Sequence, residues 1–385
     1  MDDIAFEAQI LARIDDLDAA AWDACAGTDN PFVSHAFLGA LERSGSATAE
    51  TGWAPQHVVL PDGAGGIRGA MPLYLKGHSQ GEYVFDYAWA DAYARAGGRY
   101  YPKLQACVPF TPATGPRLLT RPGEPGDTAD HLVAAALTLA RRRGVSSLHV
   151  TFAPEDQARR LESHGLLLRT DQQFHWHNRG YGRFDDFLAQ LASRKRKQVR
   201  KERREALSAG IEIDWLTGAD LTEAVWDRFF DFYQDTGMRK WGRPYLSRAF
   251  FSMVGEAMGE RLVLVMARRD GRYIAGALNA IGADTLYGRY WGATEHHPHL
   301  HFEVCYYQAI DFAIDRGLDR VEAGAQGPHK LARGYEPSTT WSAHWLADPG
   351  FHEAVEHYLS RERRVISAEA ALFAEHLPFR HDADG

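Results

Sequence analysis

The sequence predicts an α/β protein of the α+β type, with a mixed sheet, built as two similar halves. Three observations predict it. Short alternating or apolar segments bounded by Gly, Pro and Asp mark antiparallel strands. Segments with apolar residues three or four positions apart mark helices. The order helices, meander, helix, strand, tail runs twice through 385 residues, a length suited to two domains.

In the first half, residues 3–14 read as a short entry strand, and 19–25 and 34–44 as short helices. Ser34 stands just before the apolar run Phe37, Leu38, Leu41, where a hydroxyl caps the first turn. Segments 57–60, 66–74 and 83–89 form the meander, with Pro61, Asp62, Gly63 and Gly77 between them. Residues 130–143 place Leu132, Ala136, Leu139 and Ala140 on one helical face. A strand at 147–152, a helix at 155–164 and a strand at 173–178 complete this half.

The second half opens with a long helix over 184–208, then a strand at 212–216 and helices at 221–236 and 246–258. Strands at 261–268, 272–281 and 285–291 form its meander. A helix at 303–316, a short strand at 320–322 and a closing helix at 351–373 complete it. Gly180 and Gly182 break the pattern between halves, which divides the chain into 1–180 and 181–385.

Bulk composition narrows the function. The net charge of −8 excludes a generic polyanion binder, so any phosphate or nucleic-acid role must come from a local patch, and no DNA partner is expected. The three cysteines, Cys25, Cys107 and Cys305, are far apart and form no CxxC pair, which suits a reducing, cytoplasmic compartment. The acidic first 18 residues lack the features of a signal peptide, and no apolar run reaches membrane-spanning length.

Three segments concentrate chemistry. Residues 193–205 read SRKRKQVRKERRE, with eight basic side chains that include Arg196 and Arg200, and Val199 on the packed side. Such a face is either a solvated helix surface or a phosphate site. Residues 287–307 read YGRYWGATEHHPHLHFEVCYY. Pro298 stands between His297 and His301 and forbids a regular zinc-binding helix, and HExxH is absent, so no metal is expected. A strand ending near Trp291, a turn with Gly292 and a helix starting near Phe302 make a seat for a pyrophosphate, with His301 beside it. Each histidine also reads as part of a polar loop, and Glu303 as a helix-dipole partner. Residues 322–337 bring Glu322, Gln326, His329, Lys330 and Arg333 together with Gly324, Gly327 and Gly334 at the end of a strand, where α/β sites lie. A surface turn with solvated charges is the alternative.

These segments, SRKRKQVRKE at 193–202, YWGATEHHPHLHFEVCYYQ at 290–308 and EAGAQGPHKLARGY at 322–335, with NPFVSHAFL at 30–38, resemble the FemAB-like, GNAT-type N-acyltransferases of bacteria. The resemblance implies a tandem GNAT-like acyl-CoA N-acyltransferase fold of two pseudo-duplicated halves, the donor site in the second. It implies either a thioester donor of the acyl-CoA type, as co-substrate rather than tightly bound cofactor, or an aminoacyl-tRNA. No long helical hairpin for tRNA is visible, which favours the thioester. The pattern of the family carries an acidic residue where this chain has Pro328. If that acid were the base, Glu322 or His329 would have to replace it.

On this reading an amine attacks the donor carbonyl directly. His329 or Glu303 removes its proton, and backbone N–H groups near Tyr290 and Gly292 stabilise the oxyanion. Tyr287, Tyr290 or Tyr306 protonates the leaving thiolate. Arg196, Arg200, Lys330, Arg333 and His301 hold the donor. Tyr83, Asp86 and Trp89, with Gln326, line an acceptor groove, although each single aromatic also reads as core. The rivals are an aminoacyl-tRNA-dependent Fem-type ligase and a binding protein that kept the fold without the chemistry.

Overall fold

A computed structural model describes residues 7–241, 244–324 and 327–380. The chain forms two compact units, Met1–Asp171 with Thr339–Ser367, and Gln172–Ser338 with Ala368–Gly385. This differs from a division at residue 180, because a late strand and most of the closing helix belong to the first unit.

The first unit runs β1 (Gln9–Leu11), α1 (Ala19–Ala26), α2 (His35–Arg43), β2 (Trp53–Pro55), β3 (His57–Pro61), β4 (Ile67–Met71), β5 (Leu73–Lys76), α3 (Tyr87–Arg95), β6 (Lys103–Ala106), β7 (Leu119–Thr120), α4 (Thr128–Arg143), β8 (Ser147–Ala153) and α5 (Glu155–Ser163). Asp18 caps α1 and Ser34 caps α2, its Oγ accepting from the Phe37 amide at 3.3 Å. The segment 83–89 is not a strand. Alanines at 88, 90, 92 and 94 favour the helix α3 instead, and β6 takes the place in the sheet.

The second unit runs from β9 (Leu167–His177), whose first residues still belong to the first unit. It continues through α6 (Phe184–Gln190), α7 (Ser193–Ala206), β10 (Glu212–Leu216), α8 (Glu223–Trp241), α9 (Arg248–Met258), β11 (Leu262–Arg269), β12 (Arg272–Ile281), β13 (Thr285–Ala293), α10 (Leu300–Phe302), α11 (Gln308–Asp315) and β14 (Arg320–Glu322). The chain ends with β15 (Glu336–Leu346) and α12 (Pro349–Glu375). Between α10 and α11 one wide π-helical turn, Glu303–Tyr307, inserts into the helix. The helix expected over 184–208 is broken, because Leu191 forms a β-bridge with Phe379 and the Ala192 amide donates to the Pro378 carbonyl at 2.8 Å.

In the first unit, β1-β3-β4-β7 make a small antiparallel sheet, and β15-β8-β6-β5-β2 a second one in which β6 and β8 are parallel and α4 connects them. Leu73, Leu104, Leu148 and Val150 pack with Leu132, Val133 and Ala136 of α4. The alternate residues Lys76, Lys103, Gln105, His149 and Thr151 point the other way and are also buried. Pairing of β6 with β8 ends at Ala106↔Val150. Beyond it the fully buried Arg117 guanidinium donates to the carbonyls of Thr151, Gly115, Pro116 and Ala113 at 2.9–3.1 Å.

In the second unit the order is β10-β11-β12-β13-β14-β9, with β13 and β14 parallel and the other pairs described antiparallel. The core of this unit gathers Phe187, Leu188, Val199, Leu286, Tyr307, Ile310 and Phe312.

Buried histidines set an acid limit on stability. Burial pushes His149 of the first unit and His175 of the second down to about 3 from an ordinary 6.5. The unfolded chain takes up these protons near pH 6.5 and the folded chain does not. Their contribution is therefore whole above pH 6.5, and each histidine is expected to remove about 1.4 kcal/mol per pH unit as pH falls towards 3. Urea midpoints between pH 7 and pH 4 measure this. Glutamine at both positions should flatten the slope if the proteins fold.

Candidate active site

The parallel pair β13 and β14 is joined over only three residue pairs, Thr285↔Arg320 to Tyr287↔Glu322. Past Tyr287, β13 runs on to Ala293 while β14 ends. Opposite this point β12 and β13 shift register between Leu278 and Asn279, so that Arg289 is the extra residue of a β-bulge. A bulge and a diverging strand together open the sheet.

A pocket of about 190 Å³ lies at this opening. Gly288, Arg289, Tyr290 and Trp291 of β13, Ala277 and Asn279 of β12, and Tyr233, Thr236 and Gly237 of α8 line it, with His301, Cys305, Tyr306 and Ala323. Its walls are aromatic. Tyr233 meets Tyr290 edge-on at 5.1 Å between ring centres, Trp291 meets His301 at 5.2 Å, and His301 meets Tyr306 at 5.4 Å. The polar groups are few. Asn279 is buried, its amide donating weakly to the Val263 carbonyl at 3.4 Å. The buried Thr236 hydroxyl has no hydrogen-bond partner among the described residues. Among the described residues no carboxylate lines the pocket.

Tyr306 links the pocket to His329. Its hydroxyl lies 3.0 Å from His329 Nε2. Burial raises the Tyr306 hydroxyl well above an ordinary phenol, which keeps it protonated. Burial, Arg333 and Lys330 lower His329, which keeps the imidazole neutral at pH 7 and able to accept that hydrogen bond. His329 is itself exposed and does not line the pocket.

The cations of the tail segment are structural anchors. Lys330 is 1% exposed and donates to the carbonyls of Ala323 and Gly324 at 2.7 and 2.9 Å, and burial pushes it down to about 8. It thereby fixes the backbone that leaves β14 beside the pocket. Arg333 pairs with Glu202 of α7 at 2.9 Å, donates to the His329 carbonyl at 2.8 Å and stacks over Phe302 at 3.4 Å. Both side chains are buried and engaged, which argues against a phosphate-binding role for either.

Several other candidates also lie away from the pocket. Glu303 is fully buried in an ion pair with Arg203, 2.9 Å from its Nη2, and Arg203 also holds Asp311 at 2.6 Å. Glu322 is buried, 3.5 Å from Arg320 and 4.0 Å from His175. Gly292 is a packing position: a methyl group there would run into the Phe232 carbonyl of α8. In the first unit, Trp89 is core and Asp86 is buried on Lys103, while Tyr83 adopts φ +62°. Gln326 lies outside the described residues. Tyr290 and His301 do line the pocket.

The residues that sequence reasoning passed over are Tyr233, Thr236 and Asn279. Asn279 left a trace, being the one polar side chain in the stretch YIAGALNAI at 273–281. Nothing in the spacing of α8 singles out Tyr233 or Thr236.

A second concavity of about 540 Å³ adjoins the first around the turn before α10, lined by Asp235, Thr294, Glu295, His296, His297, His299 and His301 among others. His299 adopts φ +62° at the start of the helix. Among the described residues no cluster of three or more His, Cys, Asp or Glu could hold a metal ion. On α7, Arg194, Lys197, Arg200, Lys201 and Arg204 are exposed, while Val199 and Glu202 are buried, so the helix presents one cationic face. Arg196 is half-buried on it, and Arg200 contacts Asp185 at 3.2 Å.

The FemAB-like family model, described as peptidoglycan biosynthesis and recognition, matches residues 13–381, and the chain belongs to that family. No curated protein matches it. Among solved structures, FemX is 11% identical, covering 91% of this chain and 100% of its own, with a TM-score of 0.55. The C-terminal DUF2156 domain of a putative lysylphosphatidylglycerol synthetase from Agrobacterium fabrum is 10% identical, covering 89% and 94%, with a TM-score of 0.52. A tandem GNAT protein from the clavulanic acid biosynthesis pathway is 16% identical, covering 89% and 99%, with a TM-score of 0.45. The fold is a mixed α/β fold shared with FemX and the DUF2156 domain, and the family supports a transferase. No helix among the described residues is long and apolar enough to cross a membrane.

Proposed function

We propose that the chain transfers an activated acyl group from a thioester of the acyl-CoA type onto an amine, at the opening between β13 and β14. The observation that carries this reading is the Tyr306–His329 pair beside a largely aromatic pocket that no described carboxylate lines. The acyl group occupies the pocket, where the backbone edge of β13 beyond Tyr287 faces the carbonyl oxygen and stabilises the developing oxyanion. The carrier's phosphates lie towards the helix that starts at Leu300. The amine attacks the carbonyl carbon, the carbon–sulfur bond breaks and the amide forms. Tyr306, donating its own hydrogen to His329 Nε2, offers its lone pairs to the amine N–H. The amine proton enters the phenol oxygen as the phenol proton passes to His329, and the leaving thiolate is protonated from solvent. His329 is thus a positioning and relay group rather than the direct base, and no covalent enzyme intermediate is needed.

A specific observation favours a second donor. The exposed cations of α7 suit a nucleic-acid backbone, so an aminoacyl-tRNA is the alternative carrier of the acyl group. Incubating the full chain with an acyl-CoA panel or with aminoacyl-tRNA, plus primary amines, and weighing the products separates the two. An amide from the thioester is the expected result. An amide only from aminoacyl-tRNA, lost on charge reversal at Lys197 and Lys201, replaces it with the ligase, and no product from either removes both.

Cys305 offers an independent test of this placement. It lines the pocket and is half-buried, whereas Cys25 and Cys107 are buried and burial pushes their thiols up to about 11 and about 12. Iodoacetamide is expected to add one carboxamidomethyl group, at Cys305, and to stop transfer, with donor protecting against both. Labelling at Cys25 or Cys107 first, or full activity after labelling at Cys305, would contradict this placement.

A further inference from the structure

The first unit carries a charged cluster that acyl transfer leaves unused. Tyr74, Lys76, Lys103 and Gln105, on one face of β5 and β6, are each 0% exposed. Strands β2, β5, β6 and β8 contain no acidic residue. The acids that meet these lysines come from a strap, residues 77–86, which belongs to no strand or helix. Positive charge is thus built into the sheet, and negative charge is laid over it by a loop.

Glu82 spans both ammonium groups, its Oε2 2.7 Å from Lys103 Nζ and its Oε1 3.9 Å from Lys76 Nζ. Lys103 also donates to Asp86 Oδ2 at 2.5 Å and to Ser79 Oγ at 2.9 Å. Asp86 Oδ2 accepts in addition from the Tyr100 hydroxyl at 2.6 Å. Lys76 makes no close ion pair. Its Nζ lies 3.4 Å above the Trp53 ring and 3.3 Å from the Gln80 carbonyl. The fit is incomplete: Glu82 Oε1, Asp86 Oδ1, Gln105 Oε1 and the Tyr74 hydroxyl are buried without a hydrogen-bond partner among the described residues. Burial outweighs this loose pairing, pushing Lys76 down to about 7 and Glu82 up to about 7. Burial also acts to raise Asp86, but Lys103 and His149 overcome it and hold Asp86 well below the usual carboxylate range.

We propose that Lys76 and Lys103 form a binding site for one anionic oxygen group of a small molecule, a carboxylate or a phosphate, and that the 77–86 strap closes this site by placing Glu82 where the ligand's group goes. Two lysines bridged by one carboxylate make a receptor for a single oxyacid group. A buried ion pair contributes little net stability over its desolvation, so exchanging Glu82 for an external anion costs little while Glu82 regains water. The strap is built to turn, with Gly81 at φ +80° and Tyr83 at φ +62°.

The test uses the full chain and two probes, acetate and inorganic phosphate, because they separate a carboxylate from a phosphate ligand. Glu82→Gln leaves both lysines and removes the negative charge that bridges them, so the side chain competes less with an external anion. Its thermal midpoint is expected to rise with one of these anions at a concentration about tenfold lower than wild type requires. The double variant Glu82→Gln/Lys103→Met should lose that response. A Glu82→Gln protein that responds to neither anion better than wild type overturns the proposal. If Glu82→Gln does not fold, amide hydrogen exchange on wild type decides. The amides of 77–86 are expected to exchange faster with acetate or phosphate than with chloride at equal ionic strength, and unchanged exchange overturns the site.

Discussion

Tyr306→Phe is expected to lower the rate of acyl transfer by about 10² to 10³-fold, with KM for the donor little changed. The variant keeps the ring that packs on His301 and Tyr335 and removes only the hydroxyl that meets His329. A pH profile adds a second readout. His329 must be neutral to accept the proton, and its value lies below the ordinary 6.5 because of burial, Arg333 and Lys330. Wild-type turnover should therefore be flat near pH 7 and fall as the pH drops through that lowered value. The residual activity of Tyr306→Phe should lose this acid limb. Turnover of the variant within threefold of wild type would remove the relay.

Arg117→Met is expected to cost the first unit about 3 kcal/mol or more of stability. The guanidinium is fully buried and serves four backbone carbonyls beyond the end of the β6–β8 pairing. A thioether fills the space but leaves those carbonyls unsatisfied away from water. The urea midpoint reads the loss, and a shift below about 1 kcal/mol would mean that water or a rearranged backbone replaces the guanidinium. Within its own unit this closed gap contrasts with the opening past Tyr287 in the other, where a pocket lies instead. The two units differ in what fills the gap beside their parallel strands.

Most regular elements were legible because their patterns are local. The Ser34 cap, the strand 272–281 and the short strand 320–322 come from spacing and turn residues alone. The break at Leu191 was not, since its cause is a bridge to Phe379, nearly two hundred positions away. Strand β15 was missed because its first half, EPST, is polar and partly exposed, without the apolar alternation that marks a strand. Of the site candidates read from the sequence, Tyr290 and His301 line the pocket, but the state of the charges was not legible. Lys330 and Arg333 read as available cations. Their partners, the Ala323 and Gly324 carbonyls and Glu202, become visible only when the chain is folded. Pattern reports which side chains are present, while pairing over long distance decides which of them are spoken for.

The wide turn Glu303–Tyr307 gives this helix two phases. One extra residue rotates the downstream side chains by about 100° relative to an uninterrupted helix. Leu300 ahead of it and Val304 within it pack under β11 and β12, and after it Ile310 and Phe312 lie in the core around Leu286. Tyr306, which lines the pocket, lies inside the widened turn. Loss of a single codon there would leave the helix residues on either side in place in the sequence and turn their two packed faces about 100° out of their present phase. This stretch is more vulnerable to a change of length than to a change of letter.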